Sequence, residues 1–189
     1  MPKPLVIGIT GTFGSGKSTA ASFLSSLSYY PISLSSFLED EAEKRKKKRI
    51  TRRLLQDIGN EWREKYGRGV LAKKAIEYIQ KSGKSKFVID GIRNTGEIEV
   101  LKKEANFTLV GVIADRNVRF ERLKKLKRRE DLTPELFYKL DCRDLGLGQK
   151  TTGLQVAFCF SLADYFIENN GAIEELHKKI EDLMKKINR

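Results

Sequence analysis

Histidine is almost missing from this chain. His177 stands alone among 189 residues, which argues against histidine-rich metal sites and against Ser-His-Asp or Cys-His catalysis. Cysteine is nearly as scarce. Cys142 and Cys159 cannot build a disulfide framework or a complete zinc site. That usage implies a reducing, cytoplasmic location. No apolar run approaches the roughly 20 residues needed to span a bilayer, and no charged and apolar leader opens the chain. No membrane contact is expected.

Acidic residues are outnumbered: 25 Asp+Glu stand against 37 Lys+Arg, for a net charge of +12 and a pI near 9.7. Nucleic acid, a small polyanion such as a nucleotide, or a lysine-rich surface with no partner would each account for it. The length suits a single domain spanning residues 1–189, with room for a small lid or insert. Apolar residues recur along the whole chain, so disorder is excluded.

Leu5 to Ile9 (LVIGI) reads as a buried strand. Gly11-Thr12-Phe13-Gly14-Ser15-Gly16-Lys17-Ser18-Thr19 follows, then AASFLSSL with Phe23, Leu24 and Leu27 at helical spacing. Gly11 to Ser18 satisfies G-x-x-x-x-G-K-[ST]. Its glycines let backbone N–H groups turn inward around phosphate oxygens. Lys17 reaches the terminal phosphates, and Ser18 offers a hydroxyl to Mg²⁺. The helix that follows aims its positive end at the anion. The pattern implies a bound nucleoside triphosphate and does not by itself separate a kinase from an ATPase or a GTPase.

Downstream, Tyr29 to Ser33, Lys86 to Asp90, Phe107 to Ala114 and Asp164 to Ile167 read as strands. Residues 36 to 82, Asn117 to Lys127 and Ala172 to Ile187 read as helices, the last with Ile173, Leu176, Ile180, Leu183 and Ile187 on one face. Thr133 with Pro134 is a helix start. The alternation predicts parallel strands with helices on both faces.

Kinases of this size need cations for both substrates and a lid that keeps water out. The basic stretch Arg116 to Arg129 fits, since its arginines could approach the transferring phosphoryl group; a solvated basic face is the bland alternative. Asp90 ends a strand at the edge where open α/β sheets bind ligands. It can hold the metal's water shell or take the acceptor's proton, with Asp115 as its rival. Arg93 can clamp an acceptor phosphate with its planar fork. Arg52 and Gln56, four apart on a helix, share a face and can bind the acceptor. No N-K-x-D-like guanine pattern follows the fourth strand. The Asn169-Asn170-Gly171 turn can contact adenine through backbone groups.

These residues resemble the P-loop nucleoside-monophosphate-kinase-like group, and within it dephospho-coenzyme A kinase. GITGTFGSGKST at 8–19 is similar to that family's opening, RREDLTPELFYKL at 128–140 to its lid, and ADYFIENNGAIEEL at 163–176 to its closing strand, turn and helix. VIDGIRN at 88–94 is more like the adenylate kinases, whose arginine binds the acceptor phosphate. Residues 51–75 look more like deoxynucleoside monophosphate kinases. After the second strand, where dephospho-coenzyme A kinases carry an aspartate, Ser33-Leu34-Ser35-Ser36 has no acid before Glu39.

The resemblance implies a three-layer α/β P-loop NTPase fold with about five parallel strands, a helical acceptor-binding insert near 36–82 and a lid near 122–135. It implies ATP and Mg²⁺, with donor contacts from Gly11, Thr12, Phe13, Gly14, Ser15, Gly16, Lys17, Ser18, Thr19, Asn170 and Gly171. Catalytic roles fall to Lys17, Asp90, Arg122 and Arg128, acceptor binding to Arg52, Gln56 and Arg93, and metal binding to Ser18 and Asp90. The acceptor is a small nucleotide-like molecule (a monophosphate or dephospho-coenzyme A), and the protein a monomer or weak homo-oligomer. The other class is a nucleotide-dependent ATPase whose basic run, Lys44 to Arg53, binds RNA or DNA, with strong salt dependence.

Overall fold

A computed structural model describes residues 3–126 and 131–187. Five strands form one sheet in the order β2-β3-β1-β4-β5, and every pairing is parallel. They are β1 (Leu5–Thr10), β2 (Tyr30–Ser33), β3 (Lys86–Ile92), β4 (Asn106–Ile113) and β5 (Tyr165–Glu168). The three central strands are apolar at successive positions because helices cover both faces. In β1 and β3, Val6, Phe87 and Ile89 point into one core, while Ile7, Ile9 and Val88 point into the other.

Two helices cover the second face: α1 (Lys17–Ser26) and α9 (Ile173–Ile187). Leu176, Ile180 and Leu183 of α9 are buried as the spacing predicts, whereas Ile173, the first residue of the helix, is exposed. The opposite layer contains α2 (Leu34–Lys44), α3 (Arg52–Tyr66), α4 (Val70–Ser82), α5 (Thr95–Glu104) and α8 (Val156–Ser161). The first three divide the helical stretch read from the sequence. Neither α5 nor α8 was read there. The start of α5 is a capping box, in which Asn94 and Glu97 satisfy each other's end of the helix.

The third group of apolar residues sits over the end of β1. Phe13 packs against Phe137, with Phe120, Leu123 and Leu132 around them. These residues come from the glycine loop, from α6 (Arg116–Leu126) and from α7 (Pro134–Leu145). Thr133 caps α7 by accepting a hydrogen bond from the Leu136 N–H at 3.2 Å, and Pro134 follows it, as the sequence signals. Arg128 lies outside the described residues. Among those described, no helix is long and apolar enough to cross a membrane.

The order of the strands fixes where a ligand can sit. The chain leaves β1 for β2 on one side, and after β3 it crosses to β4 on the other. The carboxyl ends of β1 and β3 therefore open onto a crevice that no crossover closes.

Candidate active site

The glycine loop joins β1 to α1 at that crevice. Gly14 and Gly16 hold positive φ angles of 81° and 98°. At Gly16 a Cβ would also stand 2.2 Å from the Asn169 side-chain nitrogen, so two constraints require glycine there. Asn169 uses that nitrogen to donate to the Ser15 carbonyl at 2.8 Å, tying the loop to the end of β5.

Further supports come from α6 and α7. Asp144 is fully buried and accepts from the Phe13 backbone N–H at 3.1 Å and from the Arg93 guanidinium. Asp141, one turn earlier and also fully buried, takes both terminal nitrogens of Arg119. Arg119 in turn donates to the Phe13 carbonyl at 3.2 Å and to the Ala114 carbonyl at 3.0 Å. Both backbone groups of Phe13 are thus held by α6 and α7. The Arg52 guanidinium lies 4.6 Å over the Phe13 ring, a cation–π contact on the opposite wall.

Lys17 begins α1, and its ammonium donates back to the Thr12 carbonyl at 2.8 Å. Burial, and then the nearby Arg93 cation, bring its pKa down from 10.5 to about 8. Ser18 donates to Asp90 Oδ2 at 2.7 Å. Asp90 pairs in register with Ile9 near the carboxyl end of the sheet. Its Oδ1 is buried, with no hydrogen-bond partner among the described residues. A serine hydroxyl beside an orphaned carboxylate oxygen fits Mg²⁺, which takes few protein oxygens and completes its shell with water and phosphate. Asp115 lies exposed beyond β4, away from this pair.

These groups face one cavity of about 630 Å³, large enough for a drug-sized or nucleotide-sized ligand. Lys17, Ser18 and Asp90 line it together with Arg52, Gln56, Arg93 and Arg122. The structure therefore brings the expected donor, metal and acceptor residues to one place. Arg122 also donates to the carbonyls of Asn169 and Gly171 at 2.8 and 3.1 Å. Asn170 turns its side chain away from the cavity. Its side chain accepts from the Asp115 N–H and donates to Glu168, and neither it nor Gly171 is in the cavity wall. Only backbone groups of that turn remain for an adenine ring, and Asn169 is the asparagine that touches the loop.

Several residues here escaped the sequence reading. Asp141 and Asp144 lie three apart on α7, a spacing that puts both on one helix face, but no motif marks them. Arg119 was one cation among many in a basic helix. Glu97 had a legible signal, the Asn-x-x-Glu capping box, which was not used.

A family model described as an AAA domain matches residues 7–146. A UPF0200 protein of Sulfurisphaera tokodaii is 38% identical over 184 residues, covering 96% of this chain and 97% of the relative. The chain belongs to the UPF0200 family. A second member, from Methanothermobacter thermautotrophicus, is 32% identical and is matched over 97% of this chain and 90% of its own length. Among solved structures, shikimate kinase from Acinetobacter baumannii in complex with shikimate superposes with a TM-score of 0.59 at 20% identity, over 97% of this chain and 94% of that one. Shikimate kinase from Bacteroides thetaiotaomicron gives 0.61 at 15% identity, over 96% and 98%. The fold is thus that of the P-loop kinases, in agreement with the three-layer architecture expected from the sequence.

Two outcomes follow from the geometry. Asp141→Asn leaves the Arg119 charge buried without its carboxylate and is expected to lower unfolding free energy by about 3–5 kcal/mol. Glu61→Gln, at the exposed Arg45 pair, should cost about 1 kcal/mol or less; equal midpoints in denaturant titrations of the two variants would contradict this. For Lys17, a triphosphate favours the charged form and raises the lowered pKa. Above pH 8, nucleotide binding should then take up a proton and weaken as pH rises. Titration calorimetry at pH 8.5 in buffers of different ionisation enthalpy reads the uptake directly, and identical heats in all buffers would refute it.

Proposed function

We propose that the protein is a small-molecule kinase that moves the γ-phosphoryl group of ATP to a nucleotide-like acceptor. The observation that carries this reading is that the phosphate loop and Arg93 line one cavity and, behind its wall, share a buried partner, Asp144. A hydrolase needs one phosphate subsite; a kinase needs a second cation set facing the first. Lys17 and the loop amides would hold the donor phosphates. Ser18 and Asp90 would hold Mg²⁺, which would supply positive charge to offset that of the donor phosphates. Arg93 and Arg52 would hold the acceptor's phosphate, and Arg122 would balance charge as the phosphoryl group moves, joined by Arg128. Leu123, Leu126 and Leu132, which line the cavity, would help to keep water from the γ-phosphate.

A monophosphate acceptor is favoured over dephospho-coenzyme A. A phosphate is already an anion, so the lack of an acid in Ser33 to Ser36 is no handicap to it. A hydroxyl acceptor would rely on Asp90, which Ser18 already engages. A nucleic-acid-dependent ATPase is the second reading. Its basic run is partly committed within the fold, since Arg45 is paired with Glu41 and Glu61.

The test is an ADP-release assay with Mg-ATP against each NMP and dNMP, dephospho-coenzyme A and short RNA. Release that depends on a monophosphate is expected. Lys17→Ala should reduce it at least about 100-fold, the scale for losing one charge-stabilising group. Arg93→Lys, which keeps a cation beside Asp144 but loses the planar fork, should raise the KM for the acceptor about 10- to 100-fold with a smaller effect on the KM for ATP. Release without any acceptor, or release stimulated by RNA, would move the protein to the ATPase class.

A further inference from the structure

Two buried polar side chains on α3 have no explanation in the donor site. Gln56 is 3% exposed and Arg63 is 2% exposed. Both line the cavity. Gln56 Oε1, Gln56 Nε2 and Arg63 Nη1 are all buried without a hydrogen-bond partner among the described residues. Buried amides and guanidiniums are nearly always paired, so three such atoms on one helix face call for a ligand. Gln56, Gly59 and Arg63 recur at i, i+3 and i+7, the stripe that one side of a helix presents. Gly59 leaves space for that stripe: a Cβ there would stand 3.2 Å from Arg63 Nη1 and 3.3 Å from Leu38.

We infer that this end of the cavity is a nucleobase-recognition subsite, in which Gln56 and Arg63 read the ring edge of a nucleoside monophosphate acceptor; the assignment rests on the kinase reading above. A primary amide places one acceptor beside two donors. That matches the adjacent donor and acceptor on the edge of a base. Arg63 Nη1 adds a further donor for a ring carbonyl or ring nitrogen. The surrounding wall is apolar, made by Leu34, Leu38, Leu55 and Leu71. Leucines suit the flat faces of an aromatic ring and would strand the hydroxyls of a saturated one. The polar atoms have almost no accessible area, so a ring reaches them by parting the leucine side chains around them.

Glu97 links this subsite to the phosphate clamp. Its Oε1 accepts from Arg63 Nε and Nη2 at 2.9 and 2.7 Å. Its Oε2 accepts from the backbone N–H groups of Arg93 and Asn94 at 2.8 and 3.1 Å. One buried carboxylate thereby sets the ring reader and the Arg93 backbone in fixed register. The acceptor that fits carries an aromatic ring edge at one end and a phosphate at the other.

The experiment compares the wild type with Gln56→Leu in three readouts: thermal unfolding without ligand, calorimetric binding of ATP, and ADP release with NMPs, ribose 5-phosphate and shikimate. Removing two buried, unpaired polar atoms should raise the Tm of the free protein by roughly 2–4 °C. It should raise the KM for the preferred NMP about 10- to 100-fold, with ATP affinity unchanged. Ribose 5-phosphate should be a poor acceptor in both proteins. A purely structural glutamine would show a lower Tm and an unaltered acceptor KM, and that result overturns the subsite. Ribose 5-phosphate or shikimate serving as well as any NMP also overturns it while leaving the kinase reading in place. A wild type that does not bind ATP overturns both.

Discussion

The phosphate loop hangs from two carboxylates that never meet water. Asp141 and Asp144 are one turn apart on α7 and fully buried. Between them they hold Arg119, Arg93 and the backbone of Phe13. A buried carboxylate is tolerable only when its partners are complete. That requirement locks α6, α7, β3 and the loop into one arrangement. The apolar cluster of Phe13, Phe120 and Phe137 then seals the charges from solvent. Helices α6 and α7 are therefore not an accessory to the sheet: α7 carries the charges on which loop geometry depends.

The same arrangement joins the two ends of the cavity. Asp144 touches the loop on one side and Arg93 on the other, while Glu97 ties the Arg93 backbone to Arg63. Lys17 and Arg93 sit close enough that Arg93, after burial, helps to lower the pKa of Lys17. Like charges crowded in this way are unfavourable by themselves, and a bound polyanion would relieve them. Unpaired atoms at Asp90, Gln56 and Arg63 belong to the same pattern. Stability is given up at the places where a ligand would restore it.

The sheet and the loop were legible in the sequence because they rest on local signals. A strand buried on both faces is a continuous apolar run, and a phosphate loop needs glycine and lysine at fixed spacing. Lys17, Ser18, Asp90, Arg93, Arg52, Gln56 and Arg122 were found and do face one cavity. Their supports were not found, because support is a long-range matter. Asp144 lies far along the chain from both Phe13 and Arg93, and nothing in the pattern of α7 points to either. Helix α5 was missed because Gly96 interrupts its start. That glycine exists for packing, since a Cβ there would stand 2.4 Å from Arg68. The Asn169 tie to the Ser15 carbonyl was not legible either, because only the fold brings the end of β5 against the loop.

The central claim is that the cavity passes a phosphoryl group between two bound anions rather than to water. Its most direct measurement follows the fate of the γ-phosphate. The protein is incubated with Mg-ATP and an equimolar mixture of nucleoside monophosphates, and the products are resolved by ³¹P NMR. The account predicts two nucleoside diphosphates formed for each ATP consumed, with inorganic phosphate a minor product. ADP and inorganic phosphate alone would contradict it.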